Sequence, residues 1–541
     1  MSEAFEVAAT GAAAEAVARL VPGLVADKFA SRLFAKDATL WGPDAEDEAS
    51  KRLSWTGLHR TSRPLLGQVA AIRGELLEDG VDHVVLCGMG GSSLAPEVIC
   101  ATAGVELTVL DSSDPDQVRE ALADRLERTV VVVSSKSGST VETDSQKRAF
   151  VDAFISADID HTKRIVVVTD PGSPLDEQSR ADGYRVVNAD PAVGGRYSAL
   201  TAFGLVPSGL AGADIAALLE EADAVADLLA DDDEANPGLR LGAAIAGTEP
   251  LRDKLVLTDA GSGLVGFADW AEQLVAESTG KLGTGLLPVV VGSGSDPEVA
   301  LPPHDATVAV LAPDADDDAP AEQDASGSEV RVTGSLGAQL LLWEVATAVA
   351  GKVLGINPFD QPDVESAKKA ARSMLEGSPD STPAAFTDGA VEVRALGGDW
   401  LGDASSLRDA VAALLGRLDT DRGYVAVMAY LDRLDHADLA DCRRTLAVRT
   451  RRPVTFGWGP RFLHSTGQFH KGGPAEGVYV QVTGEPRQDL AVPGKDYTFG
   501  RLIAAQAAGD AQVLADHGRP VLRLHLTDLT AGLAAVREAL S

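Results

Sequence analysis

The sequence predicts an α/β protein with two doubly wound parallel sheets, a helical N-terminal segment and an α/β C-terminal part. Three observations indicate this fold class. At 541 residues the chain is too long for one hydrophobic core, so two or more domains are expected. Short apolar runs alternate with helical patterns from Val81 onward, and the same alternation resumes near Lys254. Such alternation is typical of parallel sheets with helices on both faces.

Residues 1–75 are predicted to form the helical N-terminal segment. Residues 12–21 are rich in alanine, and residues 65–77 carry apolar side chains at helical spacing before Gly80. We see no pattern here that indicates chemistry, so we expect this segment to serve in packing.

The first α/β domain is predicted to span residues 76–215. The predicted strands are 83–87, 107–110, 129–133, 164–169 and 185–187. The predicted helices between them are 94–102, 115–126, 140–155 and 175–181. Ligands of such folds bind beyond the carboxyl ends of the strands, which directs attention to the loops after the first and third strands.

The loop after strand 129–133 is rich in hydroxyl groups. It carries the hydroxyls of Ser135, Ser137, Ser139 and Thr140 and the ammonium of Lys136, and a helical pattern follows it. Unpaired backbone N–H groups and the positive end of the helix dipole favour an anion at such a point. The alternative is an ordinary serine-rich turn with an N-cap.

The loop after strand 83–87 is rich in glycine. Residues 88–93 read Gly-Met-Gly-Gly-Ser-Ser, and Ser93 stands where a dinucleotide fingerprint requires its third glycine. The glycines let the backbone approach a ligand closely, and Ser92 can donate a hydrogen bond. A sugar carrying one phosphate therefore fits between the two loops better than a pyrophosphate.

Two further regions follow. The second α/β domain is predicted for residues 216–380, with strands at 255–259, 288–291 and 307–311 and helices at 263–275 and 336–353. Residues 376–399 are predicted to be a linker because they are rich in Gly, Pro, Ser, Asp and Thr. Residues 381–541 are predicted to form an α/β region that packs on or completes the second domain.

The composition limits the possible partners and compartment. A formal charge of −34 repels nucleic acid and anionic lipid, so we expect neither as a partner. No run of about 18 apolar residues predicts a membrane span. The acidic N-terminus does not resemble a secretory signal, and Cys87, Cys100 and Cys442 lack the spacing of a metal site. These features predict a cytoplasmic protein.

Five motifs together resemble a known family. The glycine-rich and serine-rich loops are similar to those of sugar isomerase (SIS) phosphosugar-binding domains. Taken in order, the motifs narrow the resemblance to the phosphoglucose isomerase family: residues 88–92, 135–140, 193–198, 277–281 and 357–365. The resemblance implies two SIS domains, a homodimer without metal or cofactor, and interconversion of glucose 6-phosphate and fructose 6-phosphate in glycolysis and gluconeogenesis.

The resemblance also implies roles for single residues. Glu277 would move the proton between C2 and C1, Arg196 would stabilise the enediolate, and Lys368 would help to open the sugar ring. Gln361 would contact sugar or phosphate. The residues that would hold the phosphate end of the substrate are Gly91, Ser92, Ser135, Lys136, Ser137 and Thr140. The residue types suit aldose–ketose isomerisation, which needs an acid–base carboxylate and a fixed cation.

The ring-opening histidine departs from the family's order. Between the glutamate and lysine motifs the chain has only His304, without the family's flanking residues. The best match is His464, in His-Ser-Thr-Gly-Gln after the lysine motif, with His470 as the alternative. We predict that a segment has moved to the C-terminus and fills the same place in space, because function depends on geometry rather than chain order.

Two other functions are considered. One is a non-catalytic phosphosugar sensor, which would need the phosphate loops but no base; Glu277, Arg196 and Lys368 favour the enzyme. The other is an isomerase that also accepts mannose 6-phosphate, which the sequence leaves open. An internal transaldolase is excluded because a (β/α)₈ barrel of ~250 residues does not fit in the chain.

Overall fold

The computed structural model describes residues 5–313, 327–363, 369, 372–375, 377 and 382–541. Within these residues the strands form three sheets, two of five strands and one of six. In chain order the strands are β1 (Glu6–Thr10), β2 (His83–Gly88), β3 (Thr108–Leu110), β4 (Thr129–Ser134), β5 (Ile165–Thr169), β6 (Arg185–Asn188), β7 (Lys254–Asp259), β8 (Leu287–Val290), β9 (Ala306–Leu311), β10 (Ser328–Thr333), β11 (Phe386–Asp388), β12 (Val391–Leu396), β13 (Tyr424–Tyr430), β14 (Val454–Trp458), β15 (Gly477–Gly484) and β16 (Val521–Leu526).

Helices connect and cover the strands. In chain order they are α1 (Gly11–Ala26), α2 (Phe29–Phe34), α3 (Pro43–Ala49), α4 (Leu58–Thr61), α5 (Pro64–Glu78), α6 (Leu94–Ala103), α7 (Pro115–Ala123), α8 (Val141–Ser156), α9 (Pro174–Ala181), α10 (Ala202–Ala211), α11 (Ile215–Ala230), α12 (Pro237–Ala246), α13 (Phe267–Thr279), α14 (Pro297–Ala300), α15 (Leu336–Leu354), α16 (Leu407–Leu415), α17 (Cys442–Thr450), α18 (Gly467–Gly472), α19 (Phe499–Asp516) and α20 (Leu529–Leu540). Short 3₁₀ turns at Gly90–Ser92, Gly195–Tyr197 and Arg461–His464 carry residues that matter below.

The first sheet has the order β3-β2-β4-β5-β6, and its neighbouring strands are parallel. Its strands lie within one residue of the predicted bounds, and the predicted α/β class with parallel sheets is confirmed. Because β3 and β4 lie on opposite sides of β2, the chain leaves β2 and β4 in opposite directions. The loops after these two strands therefore meet at a switch point, where ligands of such sheets bind.

The second sheet has the order β1-β10-β9-β7-β8. The pairs among β7, β8, β9 and β10 are parallel, whereas β1 runs antiparallel to β10 at the edge. The prediction that the N-terminal segment is helical is thus wrong for Glu6–Thr10. This strand contains Ala8 and Ala9, which have little strand propensity, and its pairing with β10 is too distant in sequence to leave a local pattern.

The third sheet has the order β11-β12-β16-β15-β13-β14 and belongs wholly to the C-terminal region. The strands of this region therefore do not join the second sheet, and an alternation of strands and helices does not say which sheet a strand joins. The predicted linker also contains two paired strands, β11 and β12. In β12 the buried Val391 and Val393 alternate with Glu392 and Arg394, the period of a half-buried strand.

The third sheet packs against the second. One apolar cluster contains Val256 and Val289 of the second sheet together with Ala426, Met428 and Tyr479 of the third. This packing interface brings the C-terminal region close to α13, which follows β7. The predicted domain boundaries at residues 75, 215 and 380 stay predictions.

The central helix of the structure is α15. By length and composition it could cross a membrane, but 89% of its most apolar window is buried inside the protein. It packs against α11, α12 and α13. Its apolar character is thus that of a core helix.

Candidate active site

Glu277 lies in the last turn of α13, with only 6% of the residue exposed. Its Oε2 is 3.7 Å from Nη1 of Arg196 and 3.3 Å from Nε2 of Gln273, which donates to it. Gln273 stands four residues earlier, so its side chain lies on the same face of the helix. A buried carboxylate thus faces a guanidinium and an amide.

Arg196 is held rigidly on the turn Gly195–Tyr197. Its Nε donates to Ser278 Oγ at 2.8 Å, and its Nη2 donates to the carbonyl oxygens of Pro358 and Asp360 at 2.8 and 3.0 Å. Its Nη1 donates to Oε1 of Gln361. These acceptors fix the guanidinium beside Glu277 and use its fork geometry fully.

His464 comes from the C-terminal region of the same chain and reaches this cleft. Its carbonyl oxygen accepts a hydrogen bond from Nε2 of Gln273 at 2.8 Å. Its ring Nε2 is 3.5 Å from Oε1 of Glu142, and 16% of its side chain is exposed. A Cβ built on Gly90 would lie 2.9 Å from Cβ of His464, so glycine is needed where the two segments meet.

His470, the alternative histidine, lies in the core. Its ring packs against the rings of Tyr424, Tyr479 and Phe462, and neither ring nitrogen has a hydrogen-bond partner among the described residues. Burial lowers its pKa well below the ordinary value. It is a neutral core histidine, and the geometry favours His464.

Two site residues were missed by sequence reasoning. Glu142 stands in the first turn of α8, and its Oε1 accepts a hydrogen bond from Nε2 of Gln506 at 2.6 Å. Gln506 in turn accepts from Ser113 Oγ at 2.5 Å. The other is Gln273, and its position one helical turn before Glu277 was the available signal. For Glu142 the sequence offered only its closeness to the serine-rich loop.

The serine-rich loop has the predicted position between β4 and α8. Ser135 Oγ accepts from the backbone N–H of Gly138 at 3.1 Å and lies 3.3 Å from Thr140 Oγ1. Ser137 Oγ lies 2.7 Å from Ser139 Oγ. The loop therefore gathers hydroxyls at the N-terminus of a 16-residue helix, which suits an anion.

Lys136 does not point at these hydroxyls. Its Nζ is 2.7 Å from Oδ2 of Asp170 and donates to the carbonyl oxygens of Val193 and Pro191 at 2.9 and 3.3 Å. In this conformation the lysine ties the loop to the segment that leads to Arg196, whereas the sequence suggested a phosphate contact.

The glycine-rich loop packs against the turn of Arg196. A Cβ on Gly91 would lie 1.9 Å from the carbonyl oxygen of Gly195, so only glycine permits this approach. Ser92 follows on the same 3₁₀ turn. The loops after β2 and β4 and the turn of Arg196 thus surround one cleft.

The segment 357–361 closes the cleft beside Arg196. Lys281, buried at 1% exposure, donates to the carbonyl oxygens of Asn357 and Asp360 at 2.7 and 2.6 Å and pairs with the Asp360 carboxylate. Burial lowers the pKa of Lys281 to about 8. Lys368, predicted to help ring opening, lies outside the described residues.

Comparisons with known proteins give a consistent result. Residues 70–239 match the family described as Phosphoglucose isomerase. A protein from Natronomonas pharaonis named "Probable glucose-6-phosphate isomerase" is 32% identical over 343 residues, which cover 55% of this chain and 79% of that protein. A protein of the same name from Haloarcula marismortui is 29% identical over 364 residues, covering 58% and 84%.

A solved structure of related sequence shares the fold of much of the chain. A hypothetical protein from Thermus thermophilus matches with a TM-score of 0.58 and 26% sequence identity, over 69% of this chain and 100% of that chain. The fold of this part of the chain therefore occurs in a structure of related sequence.

Proposed function

The chain belongs to the phosphoglucose isomerase family and interconverts glucose 6-phosphate and fructose 6-phosphate, and we propose that Glu277, Arg196 and His464 carry out this reaction. The observation that carries the proposal is the convergence of a carboxylate, a guanidinium and an imidazole from separate parts of the chain. Gln273 links them, since its amide donates both to Glu277 and to the carbonyl of His464.

The substrate would be anchored by its phosphate at the serine-rich loop. The hydroxyls of Ser135, Ser137 and Thr140 and the N-terminus of α8 supply donors there, and Ser92 adds another from the adjacent loop. Hydroxyls rather than many charges suit a monoester that must be released after each turnover. Lys136 would contribute directly only if it left Asp170.

His464 would open the sugar ring. Opening a hemiacetal requires a proton on the ring oxygen and loss of the proton from the C1 hydroxyl, and an imidazole can exchange protons near pH 7. Glu142 faces the ring of His464 and would orient it. Gln506 and Ser113 fix the carboxylate of Glu142 from behind.

Glu277 would then move a proton between the carbons. In the open chain its carboxylate removes the proton from C2 and returns it to C1, acting first as base and then as acid, while the hydroxyl proton of O2 passes to O1. Negative charge develops on the oxygens of C1 and C2 meanwhile. Arg196, with its guanidinium fixed by the surrounding acceptors, would stabilise this enediolate without reorganising. Gln361 would contribute through its contact with Arg196.

The cellular setting is proposed with the activity. An isomerase of these two sugar phosphates would serve glycolysis and gluconeogenesis in the cytoplasm. The homodimer expected from the resemblance remains a proposal, and Glu277, Arg196 and His464 all come from one chain. A phosphosugar sensor would need no carboxylate beside a guanidinium, so the site favours the enzyme over that alternative.

The experiment that tests the proposal supplies purified protein with fructose 6-phosphate. Formation of glucose 6-phosphate is followed with a coupled dehydrogenase, with and without EDTA. We expect product at a rate that EDTA does not change, because the proposed acid–base groups are side chains. Absence of product would refute the isomerase, and a loss of rate in EDTA would refute side-chain catalysis without metal.

A further inference from the structure

Helix α13 holds the turn of His464 at a second point. Ser465, which follows His464 directly and is 3% exposed, donates from its Oγ to Oε1 of Glu272 at 2.6 Å. The next residue of the helix, Gln273, donates to the carbonyl of His464. Glu272 and Gln273, which are consecutive in the helix, thus form hydrogen bonds with the consecutive residues His464 and Ser465.

The turn needs such contacts because its own backbone provides few. Residues Arg461–His464 form a single 3₁₀ turn, with backbone bonds from Leu463 N to Pro460 O and from Ser465 N to Phe462 O, both at 3.0 Å. A single turn is marginal in isolation. The orientation of the imidazole therefore depends on what the turn is fastened to.

Glu272 lies on a different face of α13 from Glu277. It precedes Glu277 by five residues, which puts the two side chains about 140° apart around the helix. Glu272 and Ser465 line a cavity of about 740 Å³ between α6, α13 and the C-terminal region. Neither Glu277 nor Arg196 is among the described residues that line this cavity.

The carboxyl of Glu272 is suited to a structural hydrogen bond. Burial raises its pKa to about 8, so the group is a neutral acid at pH 7. Asp269, which stands one turn earlier on the same helix, also raises the pKa of Glu272. At pH 7 glutamine is therefore its closest replacement.

We propose that Glu272 is a positioning residue for ring opening, which fixes the turn of residues 461–465 and thereby the imidazole of His464. The inference rests on the proposed role of His464. A displacement of about 1 Å in an acid–base group can cost up to ~10²-fold in rate. Proton transfer by Glu277 on an already open chain does not use His464, so it is expected to be unaffected.

The test measures two rates separately. Ring opening is followed as interconversion of the α and β anomers of glucose 6-phosphate by NMR exchange. Proton transfer is followed as deuterium exchange at C2 of a four-carbon aldose 4-phosphate, which cannot close a ring because its O4 is esterified. We expect Glu272→Ala to slow anomer interconversion roughly 10- to 100-fold and to change C2 exchange by less than about twofold.

Three further variants make the result specific. Glu272→Gln keeps an oxygen acceptor and is expected to retain ring opening. Ser465→Ala removes only the hydrogen-bond donor and is expected to show the same selective loss of ring opening. It therefore tests the inference even if Glu272→Ala does not fold. Ser31→Ala breaks a serine–carboxylate hydrogen bond to Asp232 far from the site and is expected to change neither rate.

The outcomes separate this inference from the proposed function. If His464→Ala leaves anomer interconversion unchanged, the role of His464 fails. If His464→Ala slows it but Glu272→Ala and Ser465→Ala do not, only the role of Glu272 fails. Equal losses in both rates for Ser465→Ala would also overturn the inference, because a positioning role in ring opening predicts a selective loss.

Discussion

Arg196 shows how much the site depends on the shape of one side chain. Its guanidinium donates to Ser278, to Gln361 and to two backbone carbonyls while Nη1 stays near Glu277. A lysine would carry the same charge but could satisfy only part of this set. Charge alone is therefore not sufficient at position 196.

We predict that Arg196→Lys lowers kcat by roughly 10²–10³-fold, the usual effect of losing one fixed donor to a developing oxyanion. Steady-state kinetics with fructose 6-phosphate measures this. The matched control is Arg185→Lys, which changes a half-buried arginine paired with Glu75 and is expected to leave kcat unchanged. A variant at 196 with nearly normal kcat would contradict the proposed role.

The pKa of Glu272 makes a prediction about stability. Burial raises it from the ordinary value of 4.5 to about 8, so between these values the folded chain holds a proton that the unfolded chain has released. The stabilisation from this group is therefore complete below about pH 4.5 and is lost as the pH rises through 8.

Glu272→Gln, which cannot ionise, should accordingly gain stability relative to the unchanged protein as the pH rises. We expect the difference in unfolding free energy to shift by about 2.5 kcal/mol between pH 6 and pH 8.5. Urea unfolding at the two pH values measures it, with Glu538→Gln as an exposed control. A difference independent of pH would show that Glu272 is ionised throughout.

Single residues were predictable from sequence only where a motif named them. Glu277 and Arg196 stand in recognisable motifs, and the structure brings them within 3.7 Å of each other. Gln273 stands one helical turn before Glu277, which was a usable signal, whereas Glu142 lies on a helix face whose direction the sequence does not reveal. The orientation of Lys136 toward Asp170 depends on a tertiary contact and could not be predicted either.

At the scale of elements, the cleft is built where three loops touch. The close approach of Gly91 to Gly195 joins the glycine-rich loop to the turn of Arg196. This contact has no room for a side chain, because the backbone of the partner loop occupies the place of the Cβ. Element packing, and not only side-chain chemistry, therefore sets the position of Arg196.

We predict that Gly91→Ala lowers kcat/KM by at least ~10²-fold, since the two loops must separate and Arg196 must move with its turn. The kinetics of purified variants check this. Gly67→Ala provides the control, because this glycine of α5 has open space around it. We expect that variant to keep its activity and to gain about 0.5–1 kcal/mol in urea unfolding.

Elements were predictable where local pattern decides them. The valine-rich β4 and the other strands of the first sheet follow from apolar runs between helices. The strands β1 and β10 were not predicted, because residues that are far apart in the sequence pair to form them. The Gly, Pro and Asp residues around β11 and β12 predict a linker, although the alternation in β12 indicates a strand.

At the scale of the whole molecule, the C-terminal region places the imidazole of His464 in the cleft of its own chain. The third sheet packs against the second, and the segment between β14 and β15 carries His464 back to α13. The sequence indicated that His464 substitutes for a histidine in another place of the chain order. The sequence could not indicate that the region carrying His464 has a sheet of its own.

This arrangement predicts the result of mixing two inactive variants. If Glu277 and His464 of one chain form one site, co-refolded Glu277→Gln and His464→Ala chains should show no recovery, because every site lacks one group. If a dimer shared its sites across the interface, roughly a quarter of the activity would return. Coupled assays of the mixture against each variant alone distinguish the two.

The roles of Glu277 and His464 are tested most directly by measuring ring opening and proton transfer at C2 in Glu277→Gln and in His464→Ala. In Glu277→Gln we predict that C2 exchange of the four-carbon aldose phosphate falls by roughly 10²–10⁴-fold while interconversion of the glucose 6-phosphate anomers continues. In His464→Ala we predict the reverse, and His304→Ala, at an exposed histidine, should change neither rate. Normal C2 exchange in Glu277→Gln, or equal losses of both rates in both variants, would contradict the division of labour between Glu277 and His464.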